Sequence, residues 1–564
     1  MSGTGRREFI KRGVAVTAGL GISSGALPSA AFAESREQHD GDAEQDLLLV
    51  NGRIHTMDVH DSVVSSARIR DGRFVGVGDA GEDSGGRTKV IDLHERTVVP
   101  GLIDNHNHIV LLGLRPGFDT RLENATSIAE IQVALRRRAT GVPTGQFLTA
   151  IGGWDPAQFA EKRLPTLAEL DAAVADHPVY LQVAFFGPSS TNSAGKAFFQ
   201  SHGVTVGSDG SIGPFGPSLA ALNALRAIQT FDDKKRGTLD ALKYGLSLGV
   251  TTHLDMGGFV IPGTENQQDS FVADGAASWD PFTAYDPLVA LHRDPGLPAR
   301  VRIFFLSMDS GPGIPLLTQR VLNSLRDFGD NILRIAGVGE FITSWPLFGQ
   351  PDPTNYTEAG QLAAGKGWTY QQHSLSLHED QLAAGMFETV NAQTPIADLH
   401  WSVAHVPFID LPTINRLKAV GAGVALHGWR YLAGTAAQNG PPYRTIADSG
   451  IHAGAGSDSA QISPLNPWLN IFYMVTGKNS SGVLINPGQT LSRAEAIRMY
   501  TAANGWYCKE ESSLGSIEVG KLADLVVLSN DYFDPHDVTD DGIKHLSSVL
   551  TIVGGEIVHD ALST

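Results

Sequence analysis

Short apolar runs that end in polar residues recur through the middle of the chain. They alternate with segments whose apolar positions fall three and four apart. The runs "GLIDNHNH", "FLTAIGG", "VYLQVAFF", "VTTHLDM", "VRIFFLS", "LRIAGVGEF", "HWSVAHV", "GVALHGW" and "HAGAGSDS" read as strands. "SIAEIQVALRRRA" and "TLAELDAAVAD" carry helical spacing. Strand–helix alternation over residues 101–510 predicts an α/β fold with a parallel sheet, in the form of a TIM-like (β/α)8 barrel. The strand candidates outnumber the eight such a barrel needs, so the pattern leaves some unassigned.

Both flanks read differently. Over residues 46–100, "DLLLVNGRIHTMD" predicts a hairpin turning at Asn51-Gly52, and "ARIRDGRFVGVG" another at Asp71-Gly72. "KVIDLHERTVVPGLID" reads as two further strands around a charged turn. Over residues 511–564, "GSIEVGKLADLVVLS" and "VLTIVGGEIVHD" return to strand texture, with turns at Gly520-Lys521 and Gly554-Gly555. Because the ends of a folded chain tend to lie close together, the two flanks are expected to form one small composite β-sandwich.

The remaining stretch, residues 1–33, carries a different signal. "GRREFIKRGVAVTAGLGISSGALPSAAFA" has a charged start, a Gly/Ala-rich apolar run and Ala31-Phe32-Ala33, the order of a secretory signal. Arg6 and Arg7 before Glu8-Phe9-Ile10-Lys11 resemble a twin-arginine export signal. The expectation is an exported protein, periplasmic or extracellular, handed to the twin-arginine machinery already folded. The apolar run is too short and too rich in glycine for a stable membrane span. Residues 34–45 are polar and read as a flexible start to the mature chain. Cys508 is the single cysteine, so no internal disulfide can form.

Composition narrows the partners. The 564 residues are 42% hydrophobic and 18% charged, with a formal charge of −18. That balance suits a soluble folded chain and argues against nucleic acid or an anionic membrane as partner; by itself it does not identify the expected small-molecule substrate.

Candidate chemistry starts at His106 and His108. With 19 histidines in the chain, chance alone supplies about 0.6 H-x-H pairs, so the pair needs context. Alternation along a strand points both side chains the same way. Glu340 follows "ILRIAGVG", His373 ends "GWTYQQH", His405 ends "HWSVAH" and Asp458 follows "HAGAGS". Each alone reads as a core or rim histidine, a solvated carboxylate or a turn residue. Together they are four histidines and two carboxylates at strand ends, where a barrel builds its site, and they form a donor set for one or two divalent metals.

"VVPGLIDNHNH" resembles the first strand of the amidohydrolase superfamily, and "GKLADLVVL" and "TIVGGEIVHD" resemble its closing β-segments. "GGWDPAQF", "LPTLAELDAAVADHPVYL", "GVTTHLDMG" and "IADSGIHAGAGSDSAQISPLNPW" are similar to the YtcJ-like, or family 3, amidohydrolases. The resemblance runs in order over residues 46–564. It implies His106 and His108 as ligands of a more buried metal, His373 and His405 as ligands from strands five and six, and Asp458 as a carboxylate that contacts metal and carries the proton. Where many relatives place a carboxylated bridging lysine, this chain has Glu340. The implied cofactor is a divalent metal, zinc first, with manganese or iron as alternatives, and relatives are often dimers or larger, so a homodimer is one expected assembly.

One departure bears on substrate. Relatives carry Asp-Gly-His shortly before an Asn-Ser pair; "VAFFGPSSTNSAG" keeps Asn192-Ser193 without that histidine. His253 and His427, at other strand ends, are candidates to compensate. Trp154, Trp429 and Tyr443 are candidates to line a partly apolar substrate pocket. The expected reaction is hydrolysis of a C–N bond in an amide, N-acyl or N-formyl group, with Asp458 as proton shuttle. Deamination or ester hydrolysis by the same centre is the alternative, and a non-catalytic exported binding protein a further one.

Overall fold

Seven of the nine apolar runs, joined by "GWTYQQH", form one sheet of eight strands. The computed structural model describes residues 46–79, 81, 88–184, 187–257, 283–309, 312–345, 353–459 and 462–562. The export signal expected over residues 1–33 and the polar stretch 34–45 lie outside the described residues. The barrel strands are, in order, Leu102–Asn107, Val250–Asp255, Arg300–Phe305, Leu333–Glu340, Thr369–Ser374, Ser402–His405, Gly423–His427 and His452–Gly456. Each is parallel to and paired with its chain neighbour, from the first to the eighth.

Strands one and eight meet through side chains and strand-end amides. Asn504 Nδ2 donates to the Ala455 carbonyl at 2.7 Å and also to that of Ile103, tying the two strands together. Ser457 Oγ and N both donate to Asp104, at 2.5 and 2.9 Å. The close approach requires glycine: a Cβ on Gly456 would lie 2.7 Å from the His106 amide nitrogen.

The surplus strand candidates have their own place. "FLTAIGG" and "VYLQVAFF" supply Leu148–Ile151 and Val179–Gln182, the middle of a five-stranded sheet inserted between barrel strands one and two. Its helices form where the spacing predicts. Ser127 caps Ile128–Ala139, and Thr166 with Glu169 makes a reciprocal capping box on Leu167–Ala173. Asn192, singled out in the sequence, caps the helix Ser193–Ser201 and donates to the carbonyls of Val174 and His177.

The two flanks share one sheet. Thr97–Pro100 pairs antiparallel with Leu525–Leu528, within a six-stranded sheet that also contains Arg53–His55, Val63–Val64, Ser548–Val553 and Glu556–Asp560. A four-stranded sheet of Asp46–Val50, Ala67–Arg70, Arg73–Val77 and Thr88–Asp92 faces it. Leu47, Leu49, Ile69 and Phe74 from one sheet pack with Leu525, Val527, Leu550 and Ile552 from the other. The expected hairpins at Asp71-Gly72 and Gly554-Gly555 form, with positive φ at all four residues. The one expected at Asn51-Gly52 does not: Asp46–Val50 and Arg53–His55 belong to different sheets. Leu93 packs closely against the chain at this point. A Cβ on Gly52 would lie 2.5 Å from its Cδ1, and the chain passes over the sandwich core there instead of folding back.

Among the described residues, no helix is long and apolar enough to cross a membrane.

Candidate metal centre

His106, His108, Glu340, His373, His405 and Asp458 come from barrel strands one, four, five, six and eight and converge at one end of the barrel. Glu340 is at the middle. Its Oε1 lies 3.3 Å from His108 Nε2, and its Oε2 lies 2.6 Å from His373 Nδ1, 3.1 Å from His405 Nε2 and 3.6 Å from His106 Nε2. Asp458 Oδ1 faces the same two nitrogens of strand one, 3.5 Å from His106 Nε2 and 3.6 Å from His108 Nε2. Its Oδ2 lies 3.6 Å from His405 Nδ1. The Asp458 amide donates to the His106 carbonyl at 2.8 Å, and the His108 amide to Ser459 at 2.9 Å, which fixes strand eight against strand one at the site. His405 and Asp458 both hold left-handed backbone, φ 68° and 53°, a costly state for residues other than glycine that tends to be kept where function demands it.

The rings of strand one are oriented from behind. His106 Nδ1 meets Gln371 Oε1, and His108 Nδ1 donates to the Gly257 carbonyl at 2.6 Å. With Nδ1 engaged behind, each ring turns its Nε2 inward toward Glu340 and Asp458, the orientation that metal-binding histidines take. Gln371 was not among the sequence candidates. The signal for it is its place two residues before His373 on the same strand, where alternation puts both side chains on one side.

Electrostatics follow from enclosure. Burial pushes the Glu340 carboxyl up, but His373, His108 and His405 outweigh it and hold the group well below its ordinary range. Asp458 is held low in the same way by His405, His106 and His108 against its burial. Burial pushes His405 down to about 4, so its ring is neutral at pH 7, the form that binds metal.

The donors fit a cation better than they fit one another. His106 Nε2 and His373 Nε2 are buried with no hydrogen-bond partner. His373 Nδ1 and His405 Nε2, 2.9 Å apart, crowd the same carboxylate oxygen. Ligand atoms of His106, His108 and Glu340 lie within 4.8 Å of one another, as do those of Glu340, His373 and His405. The two groups share the Glu340 carboxylate, so these residues would be able to hold one or two divalent ions. Imidazole and carboxylate donors suit zinc, manganese or iron.

His427 joins this cluster: it is buried, its Nδ1 lies 2.8 Å from His405 Nδ1, and its ring centre is 4.3 Å from that of His106. The structure does not bring His253, Trp154 or Tyr443 there. His253 packs against the helix Phe231–Ser247, where a Cβ on Gly245 would lie 3.1 Å from its ring, and Asn107 Nδ2 lies 3.0 Å from its Nδ1. Trp154 sits in the core of the inserted sheet on Phe159, its Nε1 donating to the Ala150 carbonyl at 3.4 Å. Tyr443 is buried beside Tyr473 and donates to Asn470 at 3.3 Å. For Trp154 and Tyr443 the bulk that suggested a pocket wall serves packing, and His253, the candidate to compensate for the missing histidine, is likewise held in the core. Trp429 follows strand seven, capping the short helix Arg430–Ala433, with its ring under the Arg430 guanidinium.

A model described as "Amidohydrolase family" matches residues 89–559. The chain is 24% identical to an N-substituted formamide deformylase of Arthrobacter pascens, over 92% of this chain and 98% of the relative. It is also 24% identical to YtcJ of Bacillus subtilis (strain 168), over 90% and 98%. Among solved structures, a metal-dependent hydrolase of Pyrococcus furiosus has the same fold, with a TM-score of 0.58 at 21% identity, over 87% of this chain and all of that one.

Proposed function

The chain belongs to the amidohydrolase family, and from that premise we propose that it hydrolyses a C–N bond in an amide, N-acyl or N-formyl group at a divalent metal centre. The observation that carries the reading is the sharing of Glu340 between the histidines of strand one and those of strands five and six. His106, His108, Glu340, His373, His405 and Asp458 would hold the metal. When bound, a divalent ion there polarises a carbonyl oxygen and makes water a nucleophile at neutral pH.

The protein's own groups do the rest. Asp458 takes the proton of the attacking water and returns it to the leaving nitrogen, acting first as general base and then as general acid. The nitrogens around its two oxygens keep it ionised and ready to accept. Glu340 supplies two oxygens without the lysine modification used by relatives. His427 accepts the Nδ1 proton of His405 and so keeps the Nε2 of that ligand free. The formamide deformylase relative supports an N-formyl or similar acyl group as the part cleaved. The twin-arginine pattern around Arg6 and Arg7 supports export of the folded, metal-loaded protein.

Metal quantification on the purified protein, together with a panel of N-formyl, N-acyl, amide and ester substrates, tests the reading. The expected result is one or two divalent ions per chain and turnover of C–N substrates. A protein that takes up no zinc, manganese or iron, or hydrolyses none of the panel when loaded, overturns it.

A further inference from the structure

Six arginines are buried among the described residues: Arg68, Arg115, Arg300, Arg302, Arg320 and Arg430. Arg115, Arg300 and Arg302 each meet a carboxylate, Asp119, Asp524 and Glu510 respectively. Arg320 donates to the Leu306 carbonyl at 2.7 Å, and Arg68 to that of Gly81 at 3.5 Å. Arg430 alone has no hydrogen bond or ion pair among them. Its surroundings are aromatic: the guanidinium lies 3.9 Å from the Trp429 ring centre and 5.5 Å from that of Phe408. Among the described residues no carboxylate pairs with it; burial lowers its pKa, and Tyr473 is the ionisable neighbour that raises it.

Its place is at the site. Arg430 is three residues beyond His427, and Phe408 three beyond His405, so both stand on the connections that leave strands seven and six at their metal-bearing ends. Arg430 Nε is enclosed without a partner, and the neighbouring Trp429 Nε1 is a second buried donor without one. The Nη atoms are the part of the guanidinium left open. Aromatic faces hold a guanidinium plane in place without neutralising its charge. An uncompensated charge kept this way in an enclosed setting asks for an anion, and the planar fork matches a carboxylate bidentately.

We propose that Arg430, with Trp429 Nε1, forms a subsite for a substrate carboxylate beside the metal centre, so that the preferred substrates are N-acyl or N-formyl compounds bearing a free carboxylate. This rests on the C–N hydrolase reading. The scissile group lies over the metal-ligating cluster, and the carboxylate anchors the far end of the molecule.

The test compares matched pairs, N-formyl and N-acetyl amino acids against their carboxamides, on the metal-loaded enzyme. The expected result is a kcat/KM at least tenfold higher for the carboxylates, carried mainly by KM. Arg430→Met removes that preference and Arg430→Lys keeps part of it, with metal content unchanged in both. A second measurement is calorimetric binding of N-acetylglycine and N-acetylglycinamide to the metal-loaded Asp458→Asn protein, in which only the carboxylate is expected to bind tightly. Equal kcat/KM for the pairs in the wild-type enzyme, or a preference retained by Arg430→Met, overturns the subsite. If Arg430→Met fails to fold, Arg430→Gln is held to the same criterion. Absence of turnover on every pair is a failure of the hydrolase reading, and the calorimetry still decides the subsite by itself.

Discussion

The Nδ1 atoms of His405 and His427 face each other across 2.8 Å, both rings buried. At that distance one must carry the proton and the other accept it. His405 turns its Nε2 to the Glu340 cluster; with that nitrogen on the proposed metal, His405 would carry the Nδ1 proton and His427 would accept it. Loss of such an orienting partner typically costs 10–100-fold in metal affinity. His427→Ala is expected to show a fall of that size in chelator competition, with activity recovering in excess metal. Unchanged affinity would mean that His405 is oriented by something else.

Asp458 touches the nitrogens of three of the ligating histidines. Asp458→Asn keeps an oxygen near the metal but cannot accept a proton. Turnover is expected to fall by about 10²–10⁴-fold while metal content stays within a factor of about two. Near-normal turnover would remove Asp458 from the proton-transfer role.

Glu340 offers one oxygen to strand one and the other to strands five and six. Glu340→Gln halves that donor set and removes its charge. Metal per chain, measured by elemental analysis, is expected to drop by half or more, with activity lost in parallel. Full metal content at unchanged affinity would show that another group bridges.

Arg300 Nε and Nη2 each donate to Asp524 at 2.8 Å, joining barrel strand three to the residue before the strand Leu525–Leu528. Both side chains are nearly fully buried. Removing one partner strands a buried charge, which costs about 3–5 kcal/mol. Asp524→Asn is expected to lower stability by that order in urea unfolding. A loss below about 1 kcal/mol would show that water reaches the pair.

Asp380, buried with Ser374 Oγ donating to it at 2.6 Å, has its carboxyl pushed up to about 7 by burial. Unfolded, the group titrates near 4. The folded state therefore binds the extra proton between those values. The contribution is fully present below about pH 4 and is lost as pH rises to about 7, up to about 4 kcal/mol in all. Asp380→Asn is expected to gain stability relative to wild type between pH 5 and pH 8 in unfolding titrations. A pH-independent difference would place the carboxyl at its ordinary value.

Much of the site was legible because its residues end strands. Apolar runs terminating in His106, His108, Glu340, His373, His405 and Asp458 marked one face of a parallel barrel before any coordinates. His427 stood only as a candidate to compensate for the missing histidine, because nothing in "GVALHGW" reveals that its ring would reach His405. Trp154 and Tyr443 misled for the opposite reason: a large aromatic in a connection fits a pocket wall and a packed core equally well.

What the linear pattern determined about this protein is the class of its strands and helices, the metal-ligating residue types and the order in which they occur. Periodicity and strand-end position are local properties, so a one-dimensional reading suffices for them. Only the tertiary structure decided that seven of the nine apolar runs, with Thr369–Ser374, make the eight strands of the barrel, which flanking segments pair across more than 400 residues of chain, and which histidine faces which. Those depend on register and on side-chain approach of a few ångströms between residues far apart in sequence, and no local pattern carries that information.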